Sequence, residues 1–429
     1  MNEQQNNQRY LTAREAAREL GVTAATLYSY VSRGLIHSET TAGTKRDRRY
    51  LAEDVERLKR RKEVRHDPST AARGALHWGT PLLESSITLI DDGKFFYRGY
   101  DAVELASARS VEEVAGLIWR GDFEPVRFAG AFPRRWSGMR KSLEGLAPLD
   151  QFQLLLPVVA ADDRAAYDLR AKGVRATGAR MLGMMAKIAS GNNGVSDGIA
   201  ASLSPRSRSG AHARLVTAAL ILAADHELNI SAFSVRCVAS AGSTPYAAVA
   251  AGLAALGGTK HGGYTERVEG LLRETGKPER SADVIASRLR RGETIPGFHH
   301  PLYPNGDPRG RALLDMTAAA FPKSPAVRLS AGISAAMHEL TGDHPTIDMG
   351  LVTLANALGL PDGSALTLFA LGRTIGWIGH AMEQYEMDRL IRPRALYTGR
   401  RPEDHSDGNS TDPESSNRSQ DVPHPSARR

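Results

Sequence analysis

Apolar residues recur at helical spacing through most of residues 74–399, most cleanly at 215–224, 233–241 and 366–382. That period leaves packed helices as the main structural solution. Strand signals are few. The run SSITLIDDGKFFYRGY, residues 85–100, holds two β-favouring stretches around Asp91-Asp92-Gly93, which predicts a hairpin. A chain of 429 residues that is 41% hydrophobic can build a large core and is long for one domain, so two or three are expected. No apolar run reaches the roughly 20 residues that a membrane-spanning helix needs. The first residues, MNEQQNNQRY, lack the apolar stretch of a signal peptide. With a single cysteine, Cys237, neither an internal disulfide nor a thiolate zinc site can form. The expected compartment is the cytoplasm, with no membrane partner.

Composition shifts divide the chain in three. Up to about residue 65 it is basic, with 14 Lys and Arg against 9 Asp and Glu. The middle is rich in Ala, Leu and Gly. From Arg400 the sequence RRPEDHSDGNSTDPESSNRSQDVPHPSARR has no aromatic and almost no aliphatic residue, which predicts a disordered tail over 400–429. A net charge of +7 is too small to make the whole chain a nucleic-acid binder, so the placement of charge matters more.

In the basic segment, Thr12 and Glu15 have capping-box spacing ahead of Ala16, Ala17 and Leu20. Gly21 is placed to end that helix, and Thr23 to cap a second one carrying Leu27 and Val31. Gly34-Leu35-Ile36, then Lys45-Arg46-Asp47-Arg48-Arg49-Tyr50, then a helical pattern over 52–62 complete the segment. This order resembles the winged helix-turn-helix of MerR-type regulators. The resemblance implies that Thr26, Tyr28, Ser29 and Tyr30 lie on or near a recognition helix in a DNA major groove. It also implies that Arg46, Arg48 and Arg49 meet phosphates from the wing. The alternative is a small domain that only docks on the larger body, its arginines forming a solvated face.

Polar sites interrupt the apolar middle. Asp225-His226-Glu227 falls inside LVTAALILAADHELN, which otherwise reads as a buried helix, so its charges need partners or a cavity; a satisfied core histidine is the plain alternative. Gly257-Gly258-Thr259-Lys260-His261-Gly262-Gly263 precedes a helix carrying Val268, Leu271 and Leu272. A histidine there feels the positive end of the helix dipole and stays neutral, able to donate to a developing enolate oxygen. The run 295–309, IPGFHHPLYPNGDPR, is too rich in Pro and Gly to be anything but a loop, and it carries His299 and His300. Asp348, in Thr346-Ile347-Asp348-Met349-Gly350, sits among apolar residues that would raise its pKa, unless it only caps a helix. Arg373 shares a helical face with Trp377 and His380 in LFALGRTIGWIGHAM; a guanidinium there asks for an anion, and a carboxylate would serve bidentately. Arg392-Pro393-Arg394 closes the patterned region.

Taken together, YRGYDAVELA, DHELN, KHGG, PGFHH-LY--GDPRG, ID, GRTIGWIGHAMEQ and RPRALYTG resemble the citrate synthase family in order and spacing, over about residues 85–399. The resemblance implies a mainly α fold with large and small helical domains, preceded by the small winged helix-turn-helix domain. The implied boundaries are 1–66 for the MerR-like domain, 67–258 and 363–399 for the large domain, and 259–362 for the small one. It implies condensation of acetyl-CoA with oxaloacetate in a homodimer, followed by thioester hydrolysis, with no cofactor beyond the CoA thioester substrate. Asp348 would be the base, His261 would hydrogen-bond the thioester oxygen, and His300 would polarise the ketone. His226, Arg309, Arg373 and, from a second subunit, Arg392 would hold oxaloacetate; backbone groups of Pro296, Gly297 and Phe298 would meet CoA. Where the family usually reads GFGHR, this chain has Gly297-Phe298-His299-His300-Pro301, and Met349-Gly350-Leu351 follow the aspartate in place of an aromatic or leucine and Tyr-Ser. These departures leave a propionyl-CoA user, a 2-methylcitrate synthase, as an alternative. A DNA-binding regulator whose synthase-like body senses a metabolite is a second alternative.

Overall fold

Local signals set the N-terminal elements. Strand β1 (Tyr10–Thr12) runs into helix α1 (Ala13–Leu20), where Thr12 and Glu15 form the reciprocal capping box. Gly21 ends α1 in the left-handed conformation at φ 58°, which costs glycine nothing. Thr23 caps α2 (Ala24–Ser32). Strands β2 (Ser38–Thr40) and β3 (Arg48–Leu51) complete an antiparallel sheet in the order β1-β3-β2. Ala16, Leu20, Leu27, Ile36, Tyr50 and Val55 form a separate small core beneath it. The Asp54 carboxylate accepts from the His37 backbone N–H at 2.8 Å and lies 2.7 Å from His37 Nδ1, tying the chain ahead of β2 to the segment after β3.

The computed structural model describes residues 10–33, 35–40, 48–52, 54–55, 58, 83–129, 137–191, 198–204, 210–395 and 397–399. Most of the helix expected over 52–62, Arg46 and the tail over 400–429 lie outside them. The chain divides between Ile391 and Arg392 into two units. Of the second, residues 392–395 and 397–399 carry no helix or strand and are exposed.

The hairpin is where its turn residues place it. Strands β4 (Thr88–Asp91) and β5 (Lys94–Tyr97) pair with Asp91 opposite Lys94, and β6 (Tyr100–Asp101) adds a third strand. Asp92 and Gly93 both have positive φ, 46° and 72°, as the tight hairpin turn requires. Helices then follow as α3 (Ala102–Ala108), α4 (Val111–Arg120), α5 (Ser137–Ser142), α6 (Pro148–Ala160), α7 (Ala171–Ser190), α8 (Ile199–Ser202), α9 (Gly210–Ala223), α10 (Ile230–Ser240), α11 (Pro245–Leu256), α12 (Tyr264–Thr275), α13 (Ser281–Arg290), α14 (Pro308–Ala320), α15 (Pro325–Thr341), α16 (Ile347–Ala357) and α17 (Ser364–Met387). Among the described residues no helix is long and apolar enough to cross a membrane.

Helix α17 is the axis of the body: it packs against α7, α9, α10, α11 and α16, and every residue from Ala365 to Ala381 is buried. Close approach to α9 depends on glycine, because a Cβ on Gly372 or Gly376 would strike the Leu220 or Ala224 carbonyl oxygen. The Gly376 N–H donates to the Ala224 carbonyl at 3.0 Å, and Arg373 Nε donates to the Ala223 carbonyl at 2.8 Å. These contacts explain a departure from expectation. Asp225-His226-Glu227 is not inside a helix: α9 stops at Ala223, Glu227 turns the chain at φ 51°, and Asn229 caps α10 by accepting from the Ser231 and Ala232 N–H groups. Groups of α17 satisfy the last carbonyls of α9, so the helix can end in the interior.

Candidate active site

The link after α9, the turn before α12, the loop before α14 and the start of α16 bring the expected catalytic side chains into one electrostatic neighbourhood. Asp307 is its organiser. It caps α14, and its Oδ1 accepts from the Arg309 N–H at 3.0 Å and Arg309 Nε at 2.9 Å. Its Oδ2 accepts from the other guanidinium arm at 2.8 Å and from the Ile347 N–H at 3.0 Å. One buried carboxylate thus fixes a buried cation and the first turn of α16, which carries Asp348. Burial is the largest influence on Asp307 and opposes ionisation, but Arg309 and the hydrogen bonds hold its pKa below the ordinary value. Arg373 is the second buried guanidinium, anchored by its Nε and lying 4.8 Å from the Phe369 ring centroid.

Three histidines surround these cations. His226 is buried, its Nε2 lies 3.0 Å from the Tyr303 hydroxyl oxygen, and its ring stands nearly perpendicular to His300 at 5.1 Å. His300 Nδ1 accepts from the Leu302 N–H at 3.2 Å, which assigns the proton of the neutral ring to Nε2. His261 Nε2 lies 2.8 Å from Ser231 Oγ. Burial, then the charges of Arg373 and Arg309, push His261 down to about 3. Burial and Arg309 push His300 down to about 4, and burial followed by Arg309 takes His226 well below its ordinary value. All three imidazoles are therefore neutral at pH 7.

Asp348 lies in the first turn of α16, where the cap position belongs to Thr346. Burial pushes its carboxyl up to about 6, against the opposing effects of the Thr346 hydroxyl, which donates at 3.1 Å, and of Arg309. The result is a carboxylate that is ionised at neutral pH and more basic than an ordinary aspartate.

Several contributors went unassigned at the sequence level. Tyr303 pairs with His226. Ser231 lies between His261 and two further groups, accepting from Trp377 Nε1 at 3.2 Å and donating to Asn229 Oδ1 at 2.6 Å. Asp225 takes a hydrogen bond from Thr88 Oγ1 at 2.6 Å and lies 3.1 Å from His380 Nε2. Asp225 stands out in the sequence as a charge in an apolar run, and Asn229 as a helix cap; the contacts of Tyr303 and Ser231 leave no local signal.

The segment expected to meet CoA is stapled in place. Pro296, Gly297 and Phe298 are buried; the Gly297 carbonyl accepts from the Thr346 N–H at 2.8 Å, and the His299 N–H donates to the His344 carbonyl at 3.2 Å. His299 itself is exposed and holds φ at 62°, where glycine would be unstrained. Arg392 opens the second unit and is exposed. Of the expected DNA-contacting residues, Tyr28 is half exposed on α2, Thr26 is tied to the α2 cap at Thr23, and Arg48 and Arg49 lie on β3.

The chain matches known proteins over both parts. Residues 75–394 match the model for the citrate synthase C-terminal domain, and residues 11–69 that for the MerR HTH family regulatory protein. It is 30% identical to citrate synthase 2 of Bacillus subtilis over 360 residues, 77% of this chain and 96% of that one. It is 29% identical to the 2-methylcitrate synthase of Shewanella oneidensis, over 71% of this chain and 89% of that one. Among solved structures, it resembles citrate synthase from Thermotoga maritima with a TM-score of 0.65 and 25% identity, over 76% of this chain and 95% of that one. A citrate synthase from Thermoplasma acidophilum in ternary complex with carboxymethyl coenzyme A and oxaloacetate shares the fold at a TM-score of 0.69 and 23% identity, over 76% of this chain and 96% of that one. An N-terminal winged helix-turn-helix is joined here to a body of synthase fold, and the chain belongs to the citrate synthase family, as an enzyme of the synthase type.

Proposed function

We propose that the protein condenses acetyl-CoA with oxaloacetate to give citrate and CoA. The Asp348 carboxylate removes a proton from the acetyl methyl group while His261 donates a hydrogen bond to the thioester oxygen. A neutral imidazole suits that task, since it can donate N–H to the oxygen of the enol or enolate without itself carrying charge. For His261 to donate from Nδ1, its Nε2 must accept, so the Ser231 hydroxyl, which in this structure donates to Asn229 Oδ1, has to turn its single proton to His261 when substrate binds. The enol carbon then attacks the ketone carbon of oxaloacetate, and His300, protonated on Nε2, polarises that ketone and supplies the alkoxide's proton. Water cleaves the citryl thioester. His226, Arg309 and Arg373 hold the two carboxylates, with Arg392 entering from a second copy in a homodimer. Backbone groups of Pro296, Gly297 and Phe298 support CoA.

The observation that carries this reading is a carboxylate of raised basicity and two neutral imidazoles set around two buried guanidiniums. The test compares acetyl-CoA and propionyl-CoA with oxaloacetate, following loss of the thioester. A higher kcat/KM with acetyl-CoA is expected. A higher value with propionyl-CoA assigns 2-methylcitrate synthesis, and turnover of neither assigns a metabolite sensor.

A second activity, DNA contact, is favoured by half-exposed Tyr28 on α2 beside the basic strand β3. Retention on DNA from the protein's own promoter is expected to fall with salt, and Arg48→Ala with Arg49→Ala to flatten that dependence by about one per charge removed. Unchanged retention in the double variant refutes the wing contact.

A further inference from the structure

Helices α14 and α15 and the segment leading into α16 enclose a cleft of about 240 Å³ that none of the condensation steps uses. Its lining is mixed in a specific way. Leu314, Ala318 and Val327 give an apolar wall. Arg311 and Asp315, one turn apart on α14, put a cation and an anion on the same lining. That spacing favours an ion pair, yet among the described residues the two do not form one; Arg311 instead spends one N–H on the Asn305 carbonyl at 3.1 Å. The hydroxyl of Ser334, which also lines the cleft, is buried and has no hydrogen-bond partner among the described residues. A buried polar group in that state costs free energy that a ligand would recover.

These features narrow the occupant. A polyphosphate or a dicarboxylate would face Asp315 as well as Arg311, and a plain amine would face Arg311 as well as Asp315, so either meets a like charge. The volume is below that of drug-sized sites. We propose that the cleft binds a small aliphatic zwitterion, an α-amino acid, with its carboxylate on Arg311 and the Ser334 hydroxyl, its ammonium on Asp315, and its side chain on the apolar wall. Asp307 and His344 also line the cleft. Asp307 holds Arg309 and the start of α16, and the His344 carbonyl holds His299. An occupant therefore braces the supports of the catalytic groups from behind and alters the KM for oxaloacetate; this coupling rests on the proposed condensation, whereas the binding does not.

The test uses the full chain, thermal unfolding and calorimetry, with L-leucine and its two half-charged analogues, isocaproate and isoamylamine. L-leucine at roughly ten times its Kd is expected to raise Tm by about 2 °C, with neither analogue doing so. Arg311→Ala and Asp315→Ala are each expected to abolish the shift while keeping unliganded turnover. No shift or heat with L-leucine overturns the proposal. An equal effect from isocaproate overturns the zwitterion in favour of a simple anion, and a shift that survives in both variants places the binding elsewhere. Because the binding readout needs no turnover, an inactive enzyme would leave this test intact.

Discussion

Thr346→Val isolates the electrostatics of the base. The substitution removes the hydroxyl that donates to Asp348 Oδ2 at 3.1 Å and keeps the size and the backbone N–H that holds Gly297. A hydrogen bond to a charged group contributes about 1.5 kcal/mol, and one pKa unit corresponds to about 1.36 kcal/mol. The carboxyl, at about 6 in the native protein, is therefore expected to rise by about one unit in the variant. Asp348 must be ionised to take a proton, so activity falls on the acid side of its pKa. His261 and His300, pushed down to about 3 and about 4, titrate outside this window. The acid limb of kcat/KM for acetyl-CoA should thus move up by about one pH unit, with a loss of about twofold at pH 7 that approaches tenfold further into acid. Both enzymes should converge on the alkaline side. The assay is the ultraviolet absorbance of the thioester, because thiol reagents lose sensitivity in acid. A limb that stays in place, or moves to lower pH, refutes the assignment of Asp348 as the titrating base.

Asp348→Asn should abolish turnover, by about 1,000-fold, and raise stability in alkaline buffer. The carboxyl's value is raised from 3.8 to about 6, so folding takes up a proton between those values and the ionised group costs about 3 kcal/mol above them; a lower Tm for the variant at pH 8 would contradict this. Ser231→Ala should reduce kcat about tenfold, the loss of one hydrogen bond of about 1.4 kcal/mol, with KM for oxaloacetate held; a change confined to KM would place Ser231 in substrate binding instead. Gly376→Ala forces a Cβ against the Ala224 carbonyl and the Asp225 side chain. It should cost about 1–3 kcal/mol and raise KM for oxaloacetate through displacement of His226 and Arg373; a wild-type Tm would show that the helices can part without penalty.

The features that the sequence displayed best are those decided within a few residues. Thr12, Gly21 and Thr23 bound their helices, and Asp92-Gly93 turns its hairpin, because capping and turn chemistry act locally. At Asp225-His226-Glu227 the pattern predicts helix interior, because apolar residues run unbroken to Ala224, while the groups that terminate α9 come from Arg373 and Gly376, about 150 residues away. The site was legible as separate polar interruptions, and the family resemblance joined them. What periodicity could not supply was the supporting layer: Ser231 meets His261 across 30 residues and Trp377 across 146, and a serine in an apolar helix leaves no mark of either contact. The direction of each pKa was readable in part. Apolar neighbours announced the raised Asp348, but the depression of His261 follows from burial beside two guanidiniums, which only the folded chain brings near.

One peptide unit of α17 is hydrogen-bonded outside its own helix at both its carbonyl and its N–H. The Ile375 carbonyl accepts from Trp119 Nε1 at 2.8 Å, and the adjoining Gly376 N–H donates to the Ala224 carbonyl at 3.0 Å, so a single amide plane bridges α4 and the end of α9. Its hydrogen exchange would then report the docking of α9 on α17 in addition to the integrity of the helix that contains it. In a heated or acidified sample, early deuteration at Gly376 ahead of its helical neighbours would mark the parting of these two elements before the helix itself unravels.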